Sequence, residues 1–541
     1  MTNDNECNPP KRIKKEGSVD HQDAVDNSLS LMWFRSDLRI SDNPALYNAF
    51  TTSKGKGVAA VYIISEKEMK AHEFSPCKVD LILRTLGSLQ KELWESFNIP
   101  LYIKNSSFLP RKFGEYPPDE IPEDSDDSDV TPFVLFKLCK DIGAKTVCFN
   151  LEYEVDEACR DKAVTEFLSK KGLSVRHSHD QCIAPPGTIL TKEQKPYTVF
   201  TPFRSSWYKY IEANPSSIVL SKSISTRNSH KLPPPNEVPV TIPGFEVTDP
   251  EMTKTIRARW PADSESVHKL LTAFVKERIR NYKDKRDLPA VDGTSCLSPY
   301  LAIGSLSIRE CIHAAITDAG SSKPNPKLIS NGNQGIVTWI SELCWRDFYR
   351  QVIFFFPRVV KGKPFKLTSD YVKWRNDPEG FQRWCAGKTG YPIVDAGMRQ
   401  LNSTGWMHNR LRMITAMFLT KHLLIDWRLG ESYFMKHLID GDFASNNGGW
   451  QWSASTGTDA QPYFRVFNPY LQSEKNDAAG EFIKKWVPEL ATVKAKDIHN
   501  PFKSLSPSQF SKLNYPKPIV EHEMARKRAI ETFKAAYAKD K

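Results

Sequence analysis

The stretch that decides the fold of the first part of the chain reads Ser30-Leu31-Met32-Trp33-Phe34-Arg35-Ser36-Asp37-Leu38-Arg39 and continues Ile40-Ser41-Asp42-Asn43-Pro44-Ala45-Leu46. Its opening residues form an apolar run that ends in charge, which indicates a short buried strand. Asp42 or Asn43 can cap a helix, and Pro44 suits the first turn of that helix. A strand that leads directly into a capped helix is typical of a parallel α/β sheet.

The same alternation continues outward from this stretch. Further buried strands are predicted at 57–64, 100–103, 144–149 and 173–176, with helices such as 79–97 and 156–171 between them. This pattern predicts an α/β N-terminal domain over 28–180, built on a parallel Rossmann-like sheet with helices on both faces. The glycine-rich fingerprints of the usual dinucleotide and triphosphate sites do not occur in the sequence, so those sites are not indicated.

The rest of the chain divides by composition and periodicity. We expect a disordered tail over 1–27, a solvated acidic loop over 115–129, an irregular Pro- and Ser-rich interdomain linker over 181–263, an all-α domain over 264–515 and a short helical extension over 516–541. Helical periodicity in the all-α part is clearest at 267–282, 307–319, 335–356, 397–403, 409–427 and 430–438.

Composition limits the class of protein. A chain of 541 residues is too long for one ordinary core, and none of its apolar runs is long enough to cross a bilayer. The formal net charge of +11 favours a polyanionic partner, although an evenly solvated basic surface explains it equally well. The ten cysteines show neither CxxC pairs nor zinc-site spacing, so we expect no metal and a reducing intracellular compartment.

A basic cluster, Lys11-Arg12-Ile13-Lys14-Lys15, lies in the polar N-terminal tail, which shows no apolar secretory leader. We interpret it as a nuclear import signal, with a merely solvated charge run as the alternative. Nearby acidic residues argue against a mitochondrial presequence, while an additional mitochondrial pool stays open.

One helical segment of the all-α part places an unusual set of residues on one face. At spacings of three and four residues, this face carries Trp339, Glu342, Trp345, Arg346 and Tyr349. A carboxylate, a guanidinium and aromatic rings are unusual for a core stripe, although this segment alone could be a core edge with an internal ion pair.

Three other stretches make a binding site the better interpretation. Asn409, Arg412 and Met413 share the face of a second helix, and 440–452 combines carboxylates, amides, paired glycines and two tryptophans. Glycines let a planar ligand approach the backbone, and amides supply donors and acceptors. A hydroxyl-rich loop at 293–298, before a helix, is suited to holding phosphate.

These stretches resemble the photolyase/cryptochrome family, and specifically the class I photolyases that act on cyclobutane pyrimidine dimers (CPDs). The resemblance runs from about Leu31 to about Leu490, and its most specific block runs from Asp440 to Pro469. It implies light-driven repair of CPDs in UV-damaged DNA, by electron transfer from excited reduced FAD to a dimer flipped out of the duplex. FAD carries out the difficult chemistry, and the protein positions it.

The resemblance also implies which residues bind FAD. By similarity these are Tyr282, Thr294, Ser295, Cys296, Leu297, Ser298, Trp339, Trp406, Arg412, Asp440, Gly441, Asp442 and Asn446. Arg412 is expected to form an ion pair with Asp440, and Asn446 matches the residue that faces the reactive flavin N5. Members that signal through flavin reduction often carry Asp or Cys in place of Asn446, which favours repair.

The implied contacts to the dimer lie on the same helices. Glu342, Asn409 and Met413 resemble residues that contact the dimer, and with Asn446 they form the implied catalytic set. Related enzymes that repair (6-4) photoproducts carry histidines at positions 409 and 413, so their absence here favours CPDs. The wider set of implied DNA contacts, which includes two tryptophans that pack against flipped bases, is Arg286, Glu342, Trp345, Arg346, Tyr349, Asn409, Arg410, Trp452 and Gln472.

Two further roles follow from the resemblance alone. Trp450, Trp427 and Trp374 match the electron-hopping chain that reduces oxidised flavin in light; without the resemblance they would be ordinary core residues. Glu154, beside Tyr153, resembles a contact to the antenna 5,10-methenyltetrahydrofolate, with a deazaflavin or no antenna as alternatives.

Two other functions compete with repair. A cryptochrome photoreceptor often adds a long regulatory C-terminal extension, whereas the segment 516–541 is short. A non-enzymatic basic DNA-binding protein would explain the net charge but not the residues at 440–452. We expect a monomer with no membrane partner.

Overall fold

The computed structural model describes residues 28–106, 130–317 and 324–538. The predicted tail over 1–27, with its basic cluster, and the predicted acidic loop over 115–129 lie outside the described residues.

A five-stranded parallel sheet forms the N-terminal part, in the order β3-β2-β1-β4-β5. Its strands are β1 (Leu29–Phe34), β2 (Val58–Ile64), β3 (Leu101–Asn105), β4 (Ala144–Asn150) and β5 (Ser174–Ser178). The helices of this part are α1 (Pro44–Thr52), α2 (Glu66–Ala71), α3 (Pro76–Phe97), α4 (Thr131–Ile142) and α5 (Val155–Lys170). The predicted α/β fold is therefore confirmed, with each predicted strand present.

Strand β1 shows why the sheet is covered on both faces. Leu31 and Trp33 enter one apolar core, while Met32 and Phe34 enter another on the opposite face. Because both faces are buried, the strand is predominantly apolar instead of alternating, with Ser30 as its polar residue. Asn43 then caps α1 by accepting a hydrogen bond from the backbone N–H of Leu46.

The segment 181–263 differs from the irregular linker that we expected. It contains α6 (Phe200–Ala213), a 3₁₀ turn (Pro215–Ile218) and α7 (Pro250–Arg259). The apolar residues of α6 at positions 200, 203, 207 and 211 are buried in the main core. Their helical spacing was present in the sequence, but the Pro- and Ser-rich surroundings outweighed it. The segment is thus a packed part of the fold.

The rest of the described chain is helical, as predicted. Its helices are α8 (Ser264–Ala273), α9 (Tyr282–Lys285), α10 (Ser298–Ile303), α11 (Ile308–Ile316), α12 (Leu328–Asn331), α13 (Gln334–Phe355), α14 (Pro378–Cys385), α15 (Pro392–Thr404), α16 (Asn409–Met417), α17 (Trp427–His437), α18 (Phe443–Ala454), α19 (Pro469–Asn476), α20 (Glu481–Trp486), α21 (Ala495–Ile498), α22 (Pro501–Ser504), α23 (Pro507–Ser511) and α24 (His522–Tyr537). Among the helices described, none combines the length and the apolar character needed to traverse a lipid bilayer.

Two of the helices predicted as continuous are interrupted. The pattern at 267–282 becomes α8, a π segment (Phe274–Arg278) and a 3₁₀ turn (Ile279–Asn281). The pattern at 409–427 becomes α16 and a second π segment (Phe418–Leu423), which ends at Leu424 in the left-handed region with φ 54°. The apolar periodicity of these two stretches did not reveal the interruptions.

One seam between the two parts lies at the end of β1. Arg39 Nη1 donates a hydrogen bond to the Gly304 carbonyl at 3.0 Å, and Arg309 of α11 contacts Asp42 at 2.8 Å and Asp180 at 2.5 Å. Gly304 has φ 70°, and any Cβ there would overlap the Ser36 carbonyl. The charged residues after β1 therefore anchor the helical part to the sheet.

A second seam joins α3 to the segment after α17. Ser75 Oγ donates to the Leu438 carbonyl at 2.8 Å, and Lys78 Nζ donates to the Gly441 carbonyl at 2.8 Å. Lys78 is buried, which lowers the pKa of its amine to about 8, with the charges of Asp442 and Glu154 offsetting part of the effect.

Candidate active site

Helix α13 carries the first row of predicted site residues. Trp339 is buried, whereas Glu342, Trp345, Arg346 and Tyr349 are half-buried. Residues between them, such as Cys344, Asp347 and Phe348, are fully buried. Apart from Trp339, the row that sequence spacing singled out therefore lies on the side of α13 that the core leaves partly exposed.

Carboxylates hold Arg286 and Arg410, two of the three arginines that we predicted to bind DNA. Arg286, just after α9, forms an ion pair with Glu342. Arg410 of α16 pairs with Asp287, with Nη2 and Oδ2 2.7 Å apart. Burial raises the pKa of Glu342 above its usual value, and Arg286 offsets part of that rise. Asp287 was not singled out from the sequence, where it stands next to Arg286 without any motif of its own.

Helix α16 brings three predicted residues to the site. Asn409 is exposed, and its Nδ2 lies 3.9 Å from the sulfur of Met413 one turn later. Arg412 Nη2 donates to both carboxylate oxygens of Asp440, at 3.0 and 2.7 Å, which confirms the predicted ion pair. His408 caps the helix, and burial lowers its pKa to about 4, so its ring is neutral at physiological pH.

Asp442 is the charged centre of the Asp-Gly-Asp segment. It caps α18 and accepts from Arg346 Nη1 at 3.0 Å and from Arg350 Nη2 at 2.6 Å. Burial alone would raise the pKa of Asp442, but Arg350 and Arg346 hold it well below its usual range. A carboxylate so buried needs paired cations.

Arg346 also contacts α10. Its other terminal nitrogen, Nη2, donates to the Leu301 carbonyl of α10 at 2.6 Å. Both terminal nitrogens of Arg346 thus have protein partners, and its role as a DNA contact stays a prediction. The same bridge brings the end of the 293–298 loop, which leads into α10, next to the Asp-Gly-Asp segment.

The loop residues that we assigned to phosphate lie beside an aromatic cluster. Tyr282 is buried against Phe274 with ring centroids 6.1 Å apart, and Phe274 contacts Trp339 at 5.1 Å. Within the loop Thr294, Ser295 and Cys296 are half-buried, Leu297 is buried and Ser298 is exposed.

Asn446 is held by a residue that sequence reasoning missed. Its Nδ2 donates to the Glu431 carbonyl at 3.1 Å, while Asn447 Nδ2 donates to Glu431 Oε1 at 2.8 Å. Burial raises the pKa of Glu431 to about 7, and the bond from Asn447 offsets part of the rise. Glu431 is distant in sequence from both amides and belongs to no motif.

The three tryptophans assigned to electron transfer pack in one apolar core. Trp450 and Trp427 are buried in it, and Trp374 lies half-buried at its edge. Gly430 lies directly against the Trp450 ring, where any Cβ would clash, so α17 and α18 pack closely. A fourth tryptophan, Trp384, has its ring centroid 6.0 Å from that of Trp450 and was not singled out.

The two tryptophans assigned to flipped bases lie on neighbouring helices. Trp345 of α13 and Trp452 of α18 are both half-buried. The Tyr349 ring of α13 packs directly against Gly448 of α18, where a Cβ would clash, so the two helices approach closely. Trp345 stacks on Phe200 of α6, with ring centroids 3.6 Å apart and planes 8° from parallel. Sequence reasoning missed Phe200, which lies in the segment taken as a linker.

Two family models match the chain. The model described as DNA photolyase matches residues 30–218, and the one described as FAD binding domain of DNA photolyase matches residues 339–535. The deoxyribodipyrimidine photo-lyase of Vibrio cholerae is 42% identical over 508 residues, covering 94% of this chain and 100% of the relative. That of Escherichia coli is 41% identical over 509 residues, covering 94% and 98%.

The chain belongs to the DNA photolyase family. Among solved structures, a bacterial class III photolyase from Agrobacterium tumefaciens matches with a TM-score of 0.81 and 33% identity. The match covers 96% of this chain and 100% of that one. The family resemblance and the two-part fold predicted from the sequence are thereby confirmed.

The chain's side chains fit the FAD that the family's domain binds. Two buried donors, Trp406 Nε1 and Arg350 Nη1, have no hydrogen-bond partner among the described residues. Buried donors of this kind normally find an acceptor, and FAD is rich in carbonyl and phosphate oxygens. The cations of Arg346, Arg350 and Arg412 surround the same segment.

The segment assigned to a photolyase antenna lies at the topological switch point of the sheet. Glu154 follows β4, which neighbours β1 although the chain visits β2 and β3 between them. Ligands of open α/β sheets bind at such crevices. Tyr153 Oη bonds to His179 Nδ1 at 2.9 Å. Burial raises the pKa of Glu154, and Arg350, the partner of Asp442, offsets part of the rise.

Gln472 stands apart from these groups in its contacts. It is half-buried on α19, where its backbone carbonyl accepts from Asn476 Nδ2 at 2.7 Å. No contact in the described chain ties it to the other predicted DNA contacts, so its role stays a prediction.

Proposed function

We propose that this protein is a deoxyribodipyrimidine photo-lyase, which uses light and reduced FAD to split cyclobutane pyrimidine dimers in UV-damaged DNA. The observation that carries the proposal is the 42% and 41% identity to two enzymes of that name, over 94% of the chain. It is supported at the site by Asn409 and Met413, which stand where enzymes that repair (6-4) photoproducts carry histidines, and by Asn446, where members that signal through flavin reduction often carry Asp or Cys.

We infer that Asp440, Gly441, Asp442 and Arg412 hold FAD together with the loop 294–298. When bound, reduced FAD supplies the electron that light drives into the dimer. Asp442 stays ionised because the charges of Arg346 and Arg350 stabilise its carboxylate, so this side chain keeps its negative charge across the working pH range. Glu431 orients the Asn446 amide by accepting its N–H, which leaves the amide oxygen and second N–H for the flavin edge.

The same helices are proposed to hold the flipped dimer. Trp345 and Trp452 supply aromatic faces for bases that have left the duplex. Glu342 is proposed to hydrogen-bond a pyrimidine carbonyl or ring N–H, with Asn409 and Met413 touching the dimer. Because neither Asn409 nor Met413 transfers protons, these two contacts suit a ring splitting that is driven by electron transfer.

DNA binding and flavin reduction complete the proposal. Arg286, Arg410, Tyr349 and Gln472 are proposed to contact the DNA strand, with phosphate contacts supplying affinity without sequence preference. Trp450, Trp427 and Trp374 are proposed to carry electrons towards oxidised flavin, since they share one core that reaches the surface at Trp374.

Three finer assignments are also proposed. Glu154 contacts an antenna, with 5,10-methenyltetrahydrofolate as the first choice and a deazaflavin or none as alternatives. The basic cluster at 11–15 directs the protein to the nucleus. The enzyme acts on damaged DNA as a monomer.

The test is to illuminate the purified FAD-loaded protein with blue light in the presence of two DNA substrates, one with a single CPD and one with a single (6-4) photoproduct. We expect loss of the CPD only, with none lost in the dark. Repair of the (6-4) lesion, or of neither lesion, would overturn the proposal, and the second result would favour a photoreceptor.

A further inference from the structure

The two tryptophans of the proposed dimer site share a structural support outside the helices that carry them. On one side, the Phe200 ring stacks on the Trp345 ring, with centroids 3.6 Å apart and planes 8° from parallel. Phe200 is itself only 5% exposed, so its ring cannot move freely. It covers one face of the Trp345 indole, and a flipped base can stack only on the other.

On the other side, the backbone around Phe200 holds the loop that follows Trp452. The Phe200 N–H donates to Asp459 Oδ2 at 3.1 Å, and the Thr458 hydroxyl donates to the Thr198 carbonyl. The loop returns to its helix where the Gln461 N–H donates to the Trp452 carbonyl at 3.4 Å. One short segment thus touches the Trp345 ring and the loop anchored at Trp452.

We propose that Thr198–Phe200 is a positioning element of the dimer site, which fixes the orientation of Trp345 and its spacing from Trp452; this rests on the proposed function. Two aromatic walls can sandwich a pair of joined bases only at a set separation. Helices α13 and α18 approach each other closely at Tyr349 and Gly448. Within α13, Trp345 also meets Phe348 and Tyr349, with ring centroids 5.6 and 5.3 Å apart and the rings inclined to each other. Phe200 adds the near-parallel contact at 3.6 Å that sets the plane of the indole.

The first test compares dark binding of a CPD duplex and an intact duplex to the FAD-loaded wild type and to Phe200→Leu. Leu keeps most of the apolar volume but loses the stacked ring. Aromatic pairs of this kind contribute enough that we expect the Kd for the CPD duplex to rise about two- to tenfold. The Kd for intact DNA should not change.

Phe203→Leu is the matched control on the same helix. Phe203 contacts Phe348 at 5.3 Å and Tyr197 at 6.2 Å, in the core beneath Trp345. We expect this variant to lose thermal stability while keeping the wild-type ratio of the two Kd values. If both variants changed the ratio equally, Phe200 would be an ordinary core residue and the proposal would fail.

A double-mutant cycle separates positioning from general packing. If Phe200 acts through Trp345, Phe200→Leu should have no further effect on CPD binding in a Trp345→Ala background. Additive losses would contradict the proposal. Should Phe200→Leu fail to fold or to retain FAD, Thr458→Val tests the second link, because Val keeps the volume and removes only the hydroxyl donor. It should also raise the Kd for CPD DNA selectively, and an unchanged ratio would overturn the proposal.

These experiments distinguish a failure of the positioning role from a failure of the proposed function. If the wild type fails to distinguish CPD from intact DNA, the proposed function is wrong. If it distinguishes them and the ratio survives Phe200→Leu and Thr458→Val, only the positioning role is wrong.

Discussion

At the scale of single residues, the site is built from charged groups whose partners decide their state. Asp440 is paired with Arg412, and Asp442 is paired with Arg346 and Arg350, which hold the pKa of Asp442 well below its usual range. Glu431 differs, because it is buried and an amide, not a cation, is its nearest partner. Burial raises the pKa of its carboxyl to about 7, so this group titrates near physiological pH.

Glu431→Gln should remove part of the pH dependence of stability. The folded-state pKa is raised from 4.5 to about 7, so the folded protein keeps a proton that the unfolded chain releases. Stability from this group is complete below pH ~4.5 and is lost as pH rises through ~7, by about 3 kcal/mol in all. Urea unfolding at pH 5 to 8 should show the wild type losing more stability than the variant. Parallel curves would mean that Glu431 ionises normally.

Trp345→Ala should weaken binding to CPD-containing DNA far more than to intact duplex. The indole contributes a stacking face that only a flipped base can use, and stacking on one aromatic ring is worth about 1–3 kcal/mol. Equilibrium binding of the two DNAs in the dark measures the difference. An equal loss of affinity for both DNAs would mean that Trp345 is not part of the dimer site.

The residues that sequence reasoning found and missed differ in a physical way. Asp440, Arg412 and Asn446 stand in dense polar stretches, where the composition itself signals a site. Phe200, Asp287 and Glu431 act as partners across long sequence separations, and each looks locally like an ordinary core or surface residue. The partner of Arg346 was missed because its charge predicts an anion without saying whether that anion is a phosphate or Asp442.

At the scale of elements, helix α24 packs against the edge of the tryptophan core. Phe533 is fully buried and contacts Trp374, with ring centroids 5.7 Å apart. Lys421 Nζ lies 3.4 Å from the centroid of the Phe533 ring. Burial lowers the pKa of the Lys421 amine well below its usual value. The predicted C-terminal extension is thus part of the folded body.

Phe533→Ala should destabilise the protein by about 3–5 kcal/mol, because it removes a fully buried aromatic ring and leaves a cavity. Met524→Ala on the same helix is the control, since Met524 is 73% exposed. Surface changes of that kind fall within about 0.5 kcal/mol. Urea unfolding measures both, and a small effect for Phe533→Ala would show that α24 does not pack.

The elements were predictable to different degrees. Strands β1 and β2 stand out because they are predominantly apolar runs, as is typical of buried parallel strands, whereas β5 is a mostly polar strand at the edge of the sheet. Helix α6 was hidden, although its apolar spacing is regular, because Pro and Ser dominate the segment around it. The π segments after α8 and α16 were not predicted from the apolar periodicity.

At the scale of the whole molecule, the sheet and the helical part share one core and a buried charge network. Side chains of β1 and β2 belong to the same apolar cluster as those of α13. Arg309 joins Asp42 and Asp180 across the seam, and all three residues are buried. We expect the two parts to unfold together.

Arg309→Ala should cost about 3–5 kcal/mol, because it leaves two buried carboxylates short of a cation. Arg257→Ala is the control, since Arg257 pairs with Asp80 at 2.6 Å at an exposed position, where such pairs contribute about 0–1 kcal/mol. Far-UV circular dichroism and flavin fluorescence should report one coincident transition in urea. Two separate transitions would show that the parts are independent.

The bond from Lys78 to the Gly441 carbonyl has a consequence for protein engineering. A chimera that exchanges the N-terminal part for that of another member would replace the donors of this bond and of the neighbouring one from Ser75 to Leu438. The segment 438–442, which we propose contacts FAD, would then lose its link to α3. In such a chimera, residues 75–78 at the start of α3 and residues 438–441 should therefore come from the same parent protein. A breakpoint between these two segments requires matching substitutions in one of them.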